Sequence, residues 1–174
     1  PDFSEIHECF GTLRAYAFAT TKFELLKTHR DKLKPEVIWN IEKGLKLSAE
    51  DIVRAERQRA EMIKRAFAFF ETYDLLLCPA TIVPAFPVEQ RWLESCNGHV
   101  FDNYVGWLAI VYGITLVGAP SISIPAGFTK ESLPIGIQVV APPRAEARMF
   151  AGAKLLEDIL ALKSGVPIDP RPGS

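Results

Sequence analysis

The 174-residue chain carries 20 basic and 21 acidic side chains, a net charge of −1, with 48% hydrophobic and 24% charged residues. That balance offers no long-range field to a nucleic acid or an anionic membrane, and it holds too much apolar material for a disordered or fibrous chain. One globular domain with a buried core is the expectation. No run of about 18 uncharged apolar residues occurs, so no membrane partner is expected. The odd trio Cys9, Cys78 and Cys96 suits free thiols in a reducing compartment, which reads as cytoplasmic. The chain opens at Pro1 without Met or a leader pattern, in what reads as the approach to a helix, and this suggests a fragment of a longer protein.

Charge and punctuation change near residue 74: residues 1–77 hold 26 of the 41 charged residues and two of the 13 prolines. A single segment is expected, helical over 1–73 and built over 74–174 from strands, a buried helix and a terminal helix. In the first part Ile6, Phe10, Leu13, Ala17 and Leu25 recur at helical steps behind Asp2 or Ser4 as caps. Pro35 suits the first turn of a short helix over 36–43 that Gly44 would end. Ser48 and Asp51 resemble a capping box, with Ile52, Ala55, Ile63, Phe67 and Phe70 as the apolar stripe of a helix reaching Thr72. Glu50/Arg54 and Glu61/Arg65 have the spacing of supporting ion pairs.

Beyond the break, Leu75-Leu-Leu-Cys78, closed by Pro79, reads as a buried strand, followed by a long loop through Pro84 and Pro87. Residues 101–116 are apolar almost all round and predict a buried helix. Ile122-Ser-Ile124 and Ile135-Gly-Ile137-Gln-Val139 alternate with period two and predict adjacent strands. Met149, Ala153, Leu156 and Leu160 share one face of a last helix over 145–162, with Glu146 in its first turn.

Few side chains carry chemistry on spacing alone. Cys96, His99 and Asp102 place a thiol, an imidazole and a carboxylate three residues apart, but the same pattern fits a loop cysteine, a solvated histidine and a capping aspartate. Zinc would need further ligands, and His7 and His29 stand about 70 or more positions away, so no metal is expected. Cys78 reads as a small buried hydrophobe. No glycine-rich phosphate loop is present and no cofactor is implied.

Four ordered segments go further: Tyr73-Asp-Leu-Leu-Leu-Cys-Pro-Ala-Thr81, Thr115-Leu-Val-Gly-Ala-Pro-Ser-Ile-Ser-Ile-Pro-Ala-Gly-Phe128, Leu133-Pro-Ile-Gly-Ile-Gln-Val-Val140, and Glu146 opening a terminal helix. In order and spacing they resemble the C-terminal portion of the amidase signature family, which includes amidases and the A-type chain of glutamyl-tRNA amidotransferase. The resemblance implies an α/β fold with helices packed on a mixed sheet. It also implies an amide hydrolase acting on C–N bonds other than peptide bonds through a Ser, cis-Ser, Lys triad. In the family those residues lie upstream, the serines in a Gly/Ser-rich loop, whereas here no Ser-Ser pair occurs and the one Gly-Ser is Gly173-Ser174. The chain alone is therefore expected to be inactive, its catalytic residues being none, because nucleophile, base and oxyanion donors would come from an N-terminal part of the same protein.

The resemblance assigns the helix before Thr115 to the wall of the acyl pocket, with Trp107, Leu108, Val111, Tyr112 and Thr115 as candidates. Two departures bear on substrate. The usual Asn of the family motif is Thr115, and the Asp by which glutamine-using members hold the substrate ammonium is Leu108. An apolar wall would leave that ammonium unpaired, which favours apolar or aryl amides. Two other readings stay open: a fragment of the A-type chain of a glutamyl-tRNA amidotransferase, or a non-catalytic module whose exposed sheet face drives homodimerisation.

Overall fold

The structure is a computed structural model describing residues 1–161. Three helices come first: α1 (Ile6–Thr28), α2 (Pro35–Leu45) and α3 (Ala49–Thr72). Strands β1 (Leu76–Pro79), β2 (Ser95–Cys96) and β3 (His99–Val100) follow, then α4 (Ala109–Val117), β4 (Ser121–Phe128), β5 (Pro134–Val140) and α5 (Glu146–Leu160). The three main strands lie in the order β1-β5-β4, and both pairings are antiparallel. The mixed character expected of the whole sheet is thus not expressed within these three strands.

α1 buries a different stripe from the predicted one: Ile6, Cys9, Thr12 and Ala15 are sealed, Phe10 and Leu13 are half-buried, and Ala17 and Leu25 are exposed. The cause lies in the partner. α2 crosses at Ala15, where Gly44 presents no side chain, so small residues line the contact. Gly44 is therefore a packing position inside α2, which continues to Leu45, and not the end of that helix. Neither Asp2 nor Ser4 caps α1; the residue before the helix is Glu5, and Asp2 Oδ1 accepts from Ser4 N at 2.9 Å in the preceding turn.

α3 starts on the capping box read from Ser48 and Asp51: Ser48 Oγ accepts from Asp51 N at 3.1 Å, and Ser48 N donates to Asp51 Oδ2 at 2.9 Å. Its buried residues are Ala55, Met62 and Ala66, whereas Phe67 is 49% exposed. The predicted ion pairs are replaced by closer partners. Arg54 meets Asp51 at 2.7 Å and Glu8 of α1 at 2.9 Å, Lys64 meets Glu61 at 2.6 Å, and Arg65 reaches Glu5 at 2.5 Å. Bonds from Ser48 and Arg54 hold the Asp51 carboxyl down at about 2. Because its folded value lies below the unfolded one, the cap's contribution is complete above the ordinary carboxylate range and is lost as pH falls toward about 2. Asp51→Asn is expected to flatten the acid limb of a stability–pH curve below about pH 4 and leave its shape near neutrality unchanged, as read by urea unfolding across pH.

The sheet is dry on one face. Ile124 and Val139 pack there against Met149 and Ala153 of α5, with Leu75 and Leu156 beside them. Gly152 lets Leu75 approach, since a Cβ would stand too close to its Cδ1. β1 is an edge strand and is not fully buried as predicted; its residues alternate, with Leu77 exposed. β4 runs past Pro125 to Phe128, because an edge strand tolerates the missing N–H and a bulge between Pro125 and Gly127 absorbs the kink, with Gly127 at φ +135°.

The predicted helix over 101–116 is shorter. Asn103 Oδ1 accepts from Val105 N at 3.0 Å and fixes a turn, a 3₁₀ turn occupies Gly106–Leu108, and α4 begins only at Ala109. Gly118 closes α4 in the left-handed region at φ +66°. Within the long loop, β2 and β3 form a small hairpin turning on Asn97 and Gly98, both at positive φ. In α5, Met149 and Ala153 are buried and Leu160 is exposed; Leu162 and the Gly173-Ser174 pair lie outside the described residues. Among the described residues no helix is long and apolar enough to cross a membrane.

Candidate functional site

α4 is apolar all round because two different neighbours use its two sides. On one side Tyr112, Leu116 and Val117 join Ile6, Cys9, Met62 and Ala66 in the helical core. The Tyr112 ring stacks on Phe10 with centroids 4.0 Å apart, and its hydroxyl lies 2.6 Å from His7 Nδ1. Burial pushes the Tyr112 phenol up to about 12, so it stays neutral near pH 7. Arg59 Nε donates to Leu116 O at 2.9 Å, placing a cation at the C-terminal end of α4, where the helix dipole favours it.

The other side faces a cleft of about 450 Å³ between α4 and the outer face of the sheet. Val111 and Thr115, one turn apart, form its wall together with Ile114. Ser121, Ser123 and Gln138 form its floor, brought together because Ser123 pairs with Gln138 in register and strand alternation puts Ser121 on the same face. Gln138 is 7% exposed and bonded at both ends of its carboxamide: Ser121 Oγ donates to its Oε1 at 2.6 Å, and its Nε2 donates to Cys78 Sγ at 3.3 Å. Its carboxamide thus ties β4, β5 and β1 together from one face. Burial pushes the Cys78 thiol up, leaving it a protonated, half-buried acceptor and not the fully buried hydrophobe expected. Gly136 is required beneath this floor, since a Cβ there would lie 2.8 Å from Ser123 Oγ.

The five candidate wall residues are therefore distributed over three places. Val111 and Thr115 line the cleft; Leu108 and Tyr112 pack toward the helical core; Trp107 meets Phe86 edge-on, with centroids 5.8 Å apart, under the proline-rich loop. The sequence offers no signal that Ser121, Ser123 and Gln138 form a site: alternation puts the two serines on one face, but which face α4 covers depends on register and crossing, which no local pattern records.

Cys96 and His99 stand opposite each other across the hairpin, His99 against the Phe101 ring, and Asp102 lies exposed beyond the last strand residue. Among the described residues no hydrogen bond joins the three. His7 is engaged with Tyr112, and His29 follows the end of α1, where its Nδ1 lies 2.8 Å from Thr28 Oγ1.

Comparison with known proteins adds the context of this cleft. A family model described as Amidase matches residues 11–150. An acylamidase of Rhodococcus erythropolis is 27% identical over 154 residues, covering 86% of this chain and 32% of that protein. An A-type chain of the glutamyl-tRNA(Gln) amidotransferase of Clostridium acetobutylicum is 27% identical over 161 residues, covering 90% of this chain and 29% of that protein. Among solved structures, an amidase superposes with a TM-score of 0.81 at 22% identity, covering 90% of this chain and 36% of the other. A bacterial aryl acylamidase of the amidase signature family does so at 0.74 and 20%, covering 94% and 36%. The chain spans about a third of the length of the curated relatives it matches first. With four-fifths of its residues inside the family match and its helices and sheet superposing on those enzymes, the chain belongs to the amidase signature family.

Proposed function

We propose that this chain is the substrate-wall and sheet-scaffold part of an amide hydrolase acting on C–N bonds other than peptide bonds. The serine, cis-serine and lysine of the reaction would come from an N-terminal part of the same protein. The observation that carries the reading is the cleft between α4 and the sheet. It combines an apolar wall of Val111, Ile114 and Ala119 with a floor of two serine hydroxyls, that of Ser121 held by Gln138, and among the described residues no carboxylate lines it. An amide with an apolar or aryl acyl group fits such a wall, whereas a substrate ammonium would find no counter-charge there.

The test is amine or ammonia release from a panel of aryl and aliphatic amides, run on the 174-residue chain and on the protein translated with its upstream reading frame. The chain alone should give no turnover and the longer protein should hydrolyse aryl amides. In that protein Val111→Trp should raise KM for aryl amides about tenfold, with aliphatic amides affected less. Turnover by the 174-residue chain would overturn the reading. A second reading, a self-associating module without catalysis, draws on the exposed Phe128, Leu155 and Ile159. A concentration-dependent dimer in sedimentation, with no turnover from the longer protein, would favour it.

A further inference from the structure

Arg14 sits at the meeting of α1, α2 and the turn before α4, and its charge has no ion-pair partner among the described residues. Its guanidinium is caged by rings: the Phe18 centroid lies 4.7 Å from Cζ, and those of Phe10 and Tyr104 lie 5.8 Å away. Rings satisfy the face of a guanidinium, but its donors point outward in the plane, where each needs an acceptor. Nη2 finds one in Tyr104 Oη at 3.0 Å, while Nε is buried with no hydrogen-bond partner. Tyr104 Oη also receives Asn40 Nδ2 at 2.6 Å, so this hydroxyl already holds two donors.

Arg14 lines a small cavity of about 70 Å³, to which α1 also contributes His7, α2 contributes Asn40 and Lys43, and α4 contributes Tyr112. Lys43 Nζ stands close over Gly11 of α1, 3.3 Å from where a Cβ would be, and 5.4 Å from the Trp39 ring. Among the described residues no carboxylate lines the cavity. The acidic residues of α2 are engaged elsewhere, Glu36 by Arg91 at 2.6 Å and Glu42 by Arg30 at 2.7 Å. Two cations, one of them carrying an unmet donor, the His7 imidazole, a 1%-exposed carboxamide and a neutral phenol thus surround a space that no anion lines among the described residues.

We propose that this cavity binds a small carboxylate, with Arg14 and Lys43 holding the charge. The class follows from shape and donors. The planar fork of arginine matches a planar carboxylate, and the cavity admits a carboxyl group but no bulky remainder. A free acid and an acid carried as the tail of a larger amide share this chemistry.

Calorimetric titration of the chain at low ionic strength tests it, with propionate, propionamide, succinamate and inorganic phosphate as probes. Propionate should bind and propionamide should not. Arg14→Met should weaken propionate at least about tenfold, and Lys43→Met about threefold, while Arg148→Met on α5 should change nothing. Succinamate binding about tenfold tighter than propionate would identify the carboxylate as the tail of an amide, and equal affinity would identify a free acid. Equal binding of propionate and propionamide, tighter binding of phosphate than of propionate, or an unchanged affinity in Arg14→Met would overturn the proposal. The propionate–propionamide contrast is read on the unaltered chain and stands even if Arg14→Met fails to fold.

Discussion

Gly44→Ala is expected to destabilise the chain by about 3 kcal/mol or more, read as a lowered urea midpoint by circular dichroism with an unchanged slope. The sign is not the default one. Gly44 lies inside α2, where Ala is the better helix former by up to about 1 kcal/mol. Against that gain stands the backbone of α1: a Cβ at Gly44 would overlap Ala15 O and lie 2.7 Å from Ala15 C and from Ala19 Cβ. A carbonyl held in its own helix cannot turn aside, so relief requires the two helices to separate, and this is the most extensive helix–helix contact in the fold. Gly11→Ala makes the informative contrast. Its Cβ would meet only Lys43 Nζ at 3.3 Å, the far end of a flexible side chain, and the cost should stay within about 1 kcal/mol. A Gly44→Ala variant as stable as the parent would mean that α1 and α2 do not approach this closely.

Gly44 also shows where sequence reading stops. A glycine near a helix end is more often a C-cap, and the local pattern around Lys43-Gly44-Leu45 holds nothing to say otherwise; only the crossing of α1 does. Signals completed within a few residues were legible. The Ser48/Asp51 box, Pro35 in a first turn and the end of α3 at Thr72 are set within a turn of helix, and the two long strands follow each other directly in the chain and pair through one connection. The Asn97-Gly98 turn carries an equally local hairpin signal, lying within the stretch where Cys96, His99 and Asp102 suggest chemistry. Faces were legible only where one neighbour sets them. α4 touches the helical core on one side and the cleft on the other, so hydropathy named the helix but could not divide Tyr112 from Val111. Membership of the family was readable because its motifs are short and ordered; which motif residues line a cavity depends on register and packing.

Met62→Ala is expected to cost about 2–5 kcal/mol, while Phe67→Ala, only five positions on in α3, should cost under about 1 kcal/mol. Periodicity in the sequence favours the opposite order, since Phe67 belongs to the predicted stripe and Met62 does not. The structure reverses them: Met62 is 0% exposed among Ile6, Cys9, Tyr112 and Leu116, and Phe67 is 49% exposed. Removing the thioether chain would leave a void where α1, α3 and α4 meet, and the neighbouring helices are tied by Arg54–Glu8 and Arg65–Glu5 and close only partly. Cys9 reports the loss independently. Its thiol donates to Ala55 O at 3.3 Å, is fully buried, and is pushed up to about 11 by that burial, so at pH 8 a disulfide reagent should label it only through opening of the core. Labelling of Cys9 should accelerate in Met62→Ala in step with the lost stability, whereas Met62→Leu, which keeps the volume, should cost less than about 1.5 kcal/mol and leave the labelling rate near that of the parent. If Phe67→Ala proved the costlier change and Cys9 labelled freely in the parent chain, the register of α3 against α1 and α4 would be wrong by part of a turn, and with it the division of α4 between core and cleft.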